Sequence, residues 1–303
     1  VSSSKRSASV YLALAGAMII WGLSFLVTKE IVSYMPVITL LFLRFAIASI
    51  VLGVLVAVRG GLRLPRRDLA VLAGLSILSP VGYFLFETFG VANTQPSHVA
   101  VIIAAIPTVV FLIACFKRQE RATWKKIAGL LIAYGGILLL VLSGLHQPGA
   151  TVLGDCLVLG AVACAAVRTV LIKDVLRRVT PLQVTFYQFL FSLLFFGPAA
   201  AVDSWNWVAA ITPSQILGVL FLGVLCSAGS FLALHYALSH LSATQVAAST
   251  NFIPIITLLA EMLILGTALG LLKGLGTAAV IGGVMLTQLG GRIRRPMAVL
   301  DEG

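Results

Sequence analysis

Pro80, Tyr83 or Phe84, and Glu87 fall at i, i+3 or i+4, and i+7, so a kink, an aromatic ring and a carboxylate share one face of a helix. The surrounding text is apolar, and a charged side chain at the centre of a bilayer costs roughly 2.5–3.5 kcal/mol on insertion scales. Glu87 is therefore either a functional carboxylate or, being close to the end of its apolar run, a group that reaches the headgroups or pairs with Lys29. His98 is either a neutral hydrogen-bonding partner or proton carrier, or an interfacial residue. Trp21 and Ser24 can present a stacking surface and a hydroxyl, although tryptophan also belongs to the interfacial belt. Trp205 and Trp207, beside Asp203, fit the belt better. His235 and Tyr236 read as an inner gate or as anchors.

Two prolines mark backbone that has to be satisfied by something other than its own helix. Pro107 and Pro254 each remove a hydrogen bond and push away the carbonyl four residues earlier, that of Ile103 and of Thr250. In lipid such carbonyls are tolerated where they line a cavity or meet polar side chains, and Ser249, Thr250 and Asn251 are adjacent. Ala100, Ala104 and Pro107 form one narrow face, matched by Ala247, Asn251 and Pro254. These small faces either leave room for a ligand or permit close helix packing. Arg44, about seven residues into its run, is expected to have an internal partner. Arg168, five residues before Lys173, is expected to snorkel to the surface. The candidate binding set is thus Trp21, Ser24, Tyr83, Phe84, Glu87, His98, Thr250 and Asn251, with Pro107 and Pro254 as candidate hinges.

The elements that carry these residues follow from composition. A chain of 303 residues that is 60% hydrophobic and 10% charged lacks the roughly 25% charged residues of a soluble domain. Apolar runs cover Val10–Val27, Val37–Val58, Leu69–Phe89, Val99–Phe116, Ile127–Leu142, Val152–Ile172, Leu182–Val202, Ile216–Leu238, Val246–Leu265 and Leu271–Leu289. Most have the length a helix needs to cross the hydrocarbon, and none alternates as a barrel strand would. The expected fold is an all-α polytopic membrane protein with ten transmembrane helices. No cleavable signal peptide is evident, since the first run ends in Thr28, Lys29 and Glu30.

The net charge of +11 calls for no nucleic-acid partner. With the N-terminus inside, the inner segments hold seventeen basic residues: Lys5 and Arg6; Arg59, Arg63, Arg66 and Arg67; Lys117, Arg118, Arg121, Lys125 and Lys126; Lys173, Arg177 and Arg178; Arg292, Arg294 and Arg295. The outer segments hold two, Lys29 and Lys273. That bias places both termini in the cytoplasm.

The chain also repeats itself. A shift of 147 residues carries His98–Pro107 onto Gln245–Pro254, Lys126 onto Lys273, Gly129 onto Gly276, and the pair Gly135 and Gly136 onto Gly282 and Gly283. A shift of 145 carries Ser24 onto Thr169 and Pro36 onto Pro181. The expected units are residues 1–145 and 146–303, the second with a cytoplasmic tail, divided within Leu145–Gly154. Five spans per half make the repeat inverted, and inverted repeats share a midplane cavity around which the halves rock.

The run Trp21, Gly22, Leu23, Ser24, Phe25, with Arg44, Pro107, Pro254 and the late glycine pairs, resembles the drug/metabolite transporter superfamily over roughly residues 10 to 290. It is similar to the ten-helix EamA-type exporters, above all those of aromatic and other neutral amino acids. The resemblance implies a bacterial inner-membrane protein that moves amino acids or related metabolites outward by alternating access, with no cofactor and no enzymatic activity. One departure stands out: the family often has an acid after a glycine ending the ninth helix, whereas Thr267 follows Gly266 here. Glu120 holds the equivalent place in the first half and Glu261 lies six positions before Thr267, and no role is carried over to either.

Within transport, the alternatives are a multidrug or a sugar-phosphate carrier. A sugar phosphate would want cations deep in the cavity, where Ala104 and Asn251 are neutral; a dicationic drug would want a buried acid, and the first span has none before Trp21. The expected cavity therefore offers a zwitterion neutral polar contacts and needs no fixed charge. A polytopic membrane enzyme is the distant alternative, for which His235 and His240 are a poor start. Cys115, Cys156, Cys164 and Cys226 are scattered with no metal-ligand spacing, and no phosphate-binding glycine loop occurs, so neither a disulfide, a metal site nor an ATP-driven pump is expected.

Overall fold

A computed structural model describes residues 3–59, 61–116, 123–144, 151–266 and 270–289. Among them every regular element is helical, and ten helical segments match the ten apolar runs. They are α1 (Ser3–Ile31), α2 (Val37–Val58), α3 (Arg66–Asn93), α4 (Pro96–Ile103 and Ile106–Phe116), α5 (Trp124–Gly144), α6 (Val152–Val175), α7 (Pro181–Ala201), α8 (Pro213–His240), α9 (Ala243–Leu265) and α10 (Leu271–Leu289). The protein is an integral membrane protein. Glu120, Gln147, Thr267 and the basic tail from Arg292 lie outside the described residues.

Four helices are interrupted, three of them at a proline. In α4 the helix stops at Ile103 and restarts at Ile106, so Pro107 is the second residue of a new segment, where its missing N–H is harmless. In α9 a 3-10 turn over Ser249–Asn251 precedes the segment Phe252–Leu265, which holds Pro254 as its third residue. The sequence placed both breaks correctly. In α3 the winding widens to a π-helix over Ile77–Gly82, with Ser79 extended at φ −159° and ψ 126° and a cis peptide to Pro80. In α8 a π-helical stretch runs over Phe221–Gly229, the repeat-equivalent place, without any proline. Several helix starts are fixed by reciprocal caps: Thr180 with Gln183, Thr212 with Gln215 and Ser242 with Gln245.

Packing is two-fold: α3 lies on α6 as α8 lies on α1, α4 on α6 as α9 on α1, while α2 meets α7 and α5 meets α10. A pair of lysines repeats this relation. Lys29 of α1 donates to the carbonyls of Val91 and Ala92 at the end of α3, both at 2.9 Å, and Lys173 of α6 donates to those of Leu238 and Leu241 at the end of α8. Each cation thus satisfies helix-terminal carbonyls that have no partner in their own helix.

The α5–α10 contact is set by glycine. A Cβ at Gly283 would stand 2.5 Å from the Ala133 nitrogen and the Gly129 oxygen, and one at Gly136 2.7 Å from the Gly276 oxygen and the Val280 nitrogen. Their neighbours Gly135 and Gly282 meet nothing within 4 Å. Only one member of each glycine pair therefore serves the close backbone approach that small residues allow between membrane helices.

Candidate functional site

Seven helices, α1, α2, α3, α4, α6, α8 and α9, converge on a central cavity of about 50 Å³, room for a few water molecules. The interrupted helix α3 contributes most of the chemistry. Ser79, Tyr83, Phe84 and Glu87 all face the space, as the spacing of the aromatic and the carboxylate predicts. Trp21, Ser24 and Phe25 enter from α1, and Thr250 with Val246, Ala247 and Ile253 from α9. Aromatic rings form a connected wall: Trp21 meets Phe231 edge-on at 5.3 Å, Phe231 meets Phe84 at 5.6 Å, and Tyr83 meets Phe84 at 4.9 Å. Trp21 is not free to swing, because its indole N–H donates to the Cys226 carbonyl at 3.1 Å.

Three ionisable residues stand in this wall, whereas the sequence reading called for no fixed charge. Glu87 is 2% exposed and accepts from the Thr88 hydroxyl at 2.9 Å. It does not pair with Lys29, whose ammonium is taken by helix-end carbonyls. Arg44 does have an internal partner: its Nε donates to Ser227 Oγ at 2.7 Å, and its guanidinium lies 4.3 Å from the centre of the Phe84 ring. Arg168 does not snorkel. It is 4% exposed, lines the cavity, and places Nη1 2.9 Å from His235 Nε2. His235 is buried behind it, with Nδ1 2.8 Å from Thr185 Oγ1, and is not an interfacial anchor. Tyr236 instead meets His240 and Ser9.

The breaks in α4 and α9 turn the lining away from the anticipated small faces. Ile103 and Ile106 face the cavity in α4, whereas Ala100 and Ala104 are buried in helix packing. In α9 Ala247 and Thr250 face it, while Asn251 lies beside the lining, buried, with Oδ1 lacking a hydrogen-bond partner. Pro107 and Pro254 sit at the breaks, outside the lining.

His98 is also outside the cavity. It packs at the end where α3 meets α4, its Nδ1 3.3 Å from both carboxylate oxygens of Asp155 on α6. Thr94 donates to the same carboxylate at 2.7 Å. Next to this pair the Ser97 N–H donates to Glu261 of α9 at 2.7 Å, and Lys273 of α10 reaches both Glu261 and Gln95 at 3.0 Å. Residues 94–98 of the first half are therefore clamped by buried charges of the second. Sequence reasoning missed this clamp because its partners lie 57 to 178 residues apart. At the opposite end a second recess of about 550 Å³ opens between α1, α2, α7 and α8, lined by Arg59, Gln183 and Tyr236, with α8 dividing it from the cavity.

A polar cavity at the junction of two matched sets of membrane helices defines a membrane transporter. The chain belongs to the EamA-like transporter family, whose model matches residues 8–142 and again residues 152–289. It is 26% identical over 277 residues to an uncharacterised transporter of Archaeoglobus fulgidus, covering 91% of this chain and 97% of that one. It is 28% identical over 243 residues to a "probable terminal-alkyne amino-acid exporter" of Streptantibioticus cattleyicolor, covering 80% and 81%. To a "probable amino-acid metabolite efflux pump" of Escherichia coli it is 24% identical over 300 residues, covering 93% and 95%. A solved crystal structure, 19% identical and covering 94% of this chain and 98% of that one, superposes with a TM-score of 0.71 and shares the fold.

Proposed function

We propose that the protein is a secondary transporter that exports neutral amino acids, aromatic ones included, by alternating access to the central cavity. The observation that carries this reading is a space bounded by aromatic rings, by the guanidinium groups of Arg44 and Arg168 and by the carboxyl group of Glu87. A zwitterion with an apolar side chain presents the complementary set. The relatives named "probable terminal-alkyne amino-acid exporter" and "probable amino-acid metabolite efflux pump" support the substrate class. The small cavity and the clamp at residues 94–98 support a carrier that must open on one side to load and on the other to release, with the breaks at Pro107 and Pro254 as hinges. By the charge bias, the clamped end faces outward.

The arginines favour one competitor, a sugar-phosphate carrier, but Glu87 in the same wall would repel a phosphate. Counterflow into liposomes containing the purified protein separates the readings. Preloaded L-phenylalanine, L-methionine or L-leucine is expected to drive uptake of the labelled amino acid. Exchange of a sugar phosphate or an organic dication, with no counterflow of any neutral amino acid, would overturn the proposal.

A further inference from the structure

Each buried carboxylate among the described residues has a basic residue near it. Glu261 pairs with Lys273 at 3.0 Å, Asp155 with His98 at 3.3 Å, and Asp68 with Arg178 at 2.5 Å. In the cavity, Arg44 lies on Phe84, one turn before Glu87 on the same wall, so that cation and that carboxylate share one region of the cavity. Arg168 is left over. Among the described residues no carboxylate comes within 4.0 Å of it.

Its polar neighbours cannot serve as a counter-ion. An arginine only donates, so His235 Nε2 must accept from Nη1 and is unprotonated. The imidazole proton is then on Nδ1 and donates to Thr185 Oγ1, whose own proton goes to the Pro181 carbonyl at 2.6 Å. The chain is fully directed and His235 is neutral within it. Its effect is to hold the guanidinium still, with Phe231 5.6 Å from Cζ, while Nε stays buried without an acceptor. A fixed, desolvated guanidinium with an unused donor at the edge of a cavity is built for a planar anion, because its fork matches a carboxylate bidentately.

We propose that Arg168 anchors the substrate's carboxylate, so that a free carboxylate is what the protein demands of its cargo. This rests on the amino-acid reading of the cavity and adds the group by which the cargo is selected. Hydrogen bonds to charged groups are the strong class, so losing the pair should weaken binding by about 10- to 100-fold.

The test uses full-length protein in liposomes and four ligands of one shape: L-phenylalanine, 3-phenylpropionate (no ammonium), L-phenylalaninamide (no carboxylate charge) and 2-phenylethylamine (no carboxyl group). Competition against L-phenylalanine counterflow and direct binding by calorimetry are both read. The two carboxylates are expected to bind about 10- to 100-fold more tightly than the amide and the amine. Arg168→Gln should erase that preference, and Arg168→Lys, which keeps the charge but not the fork, should restore part of it. Equal binding of acid and amide by the unaltered protein, or an acid preference that survives Arg168→Gln, would overturn the anchor while leaving amino-acid transport standing. If no amino acid is exchanged, the proposed function fails. The anchor is then judged by calorimetry alone, where 3-phenylpropionate must still outbind 2-phenylethylamine. The unaltered protein answers the question even if the variants do not fold.

Discussion

Thr250→Trp is expected to abolish transport, by about 100-fold or more, while the protein still folds. Thr250 lines the cavity from α9, within the helix break, and the free space there is only about 50 Å³. An indole at that position occupies the space a substrate side chain needs, and the facing wall of Trp21, Phe231 and Phe84 is held by its own ring contacts. Overpacking costs typically about 1–3 kcal/mol in stability, part of which the existing cavity relieves. A 100-fold loss in rate corresponds to roughly 2.7 kcal/mol, so activity should fall much further than folded yield. Counterflow measured beside size-exclusion yield checks this, and transport at even a third of the normal rate would show that the cavity is not the route.

The second large effect is structural. Gly283→Leu should destabilise the protein by about 4 kcal/mol or more, the range reserved for a named packing failure. The atoms a side chain would strike, the Ala133 nitrogen and the Gly129 oxygen, are backbone, so α5 and α10 have to separate. Gly282→Leu is the control. It adds the same side chain one residue away, where nothing lies within 4 Å, and helix propensity alone makes it neutral or stabilising by up to about 1 kcal/mol. Thermal unfolding of the two variants in the same detergent should differ in sign. Equal melting temperatures would mean that this helix pair does not pack as described.

Much of the fold is legible in the sequence because lipid imposes a simple rule, length of apolar text, and because duplication prints each feature twice. Pro107 and Pro254 mark the breaks in α4 and α9, and the spacing of Tyr83, Phe84 and Glu87 places them on the cavity wall. What fails is rotation. Over Ser249–Asn251 the chain turns every 3.0 residues instead of 3.6, which brings Thr250 to the cavity and sets Asn251 beside it. Arg168 was misplaced because distance from a helix end says nothing about direction. The signal was present, since five residues at 100° each put Arg168 and Lys173 on largely different faces, so both need not reach for the same surface. The π-helical stretch in α8 has no proline to announce it, and only its place in the repeat, opposite Pro80, could have raised the question.

Alternation between two openings is the central claim, and it requires the clamp at the α3–α4 end to release in every cycle. The direct measurement is counterflow of L-phenylalanine by protein carrying Thr94→Cys and Asp155→Cys, with Cys115, Cys156, Cys164 and Cys226 replaced. The hydrogen bond between Thr94 and Asp155, 2.7 Å long, brings the two engineered thiols within reach of a short bifunctional reagent. Cross-linking through a cleavable bridge is expected to stop counterflow, and reductive cleavage of the bridge to restore it. Undiminished counterflow by fully cross-linked protein would contradict the account, since cargo would then be crossing without that end ever opening.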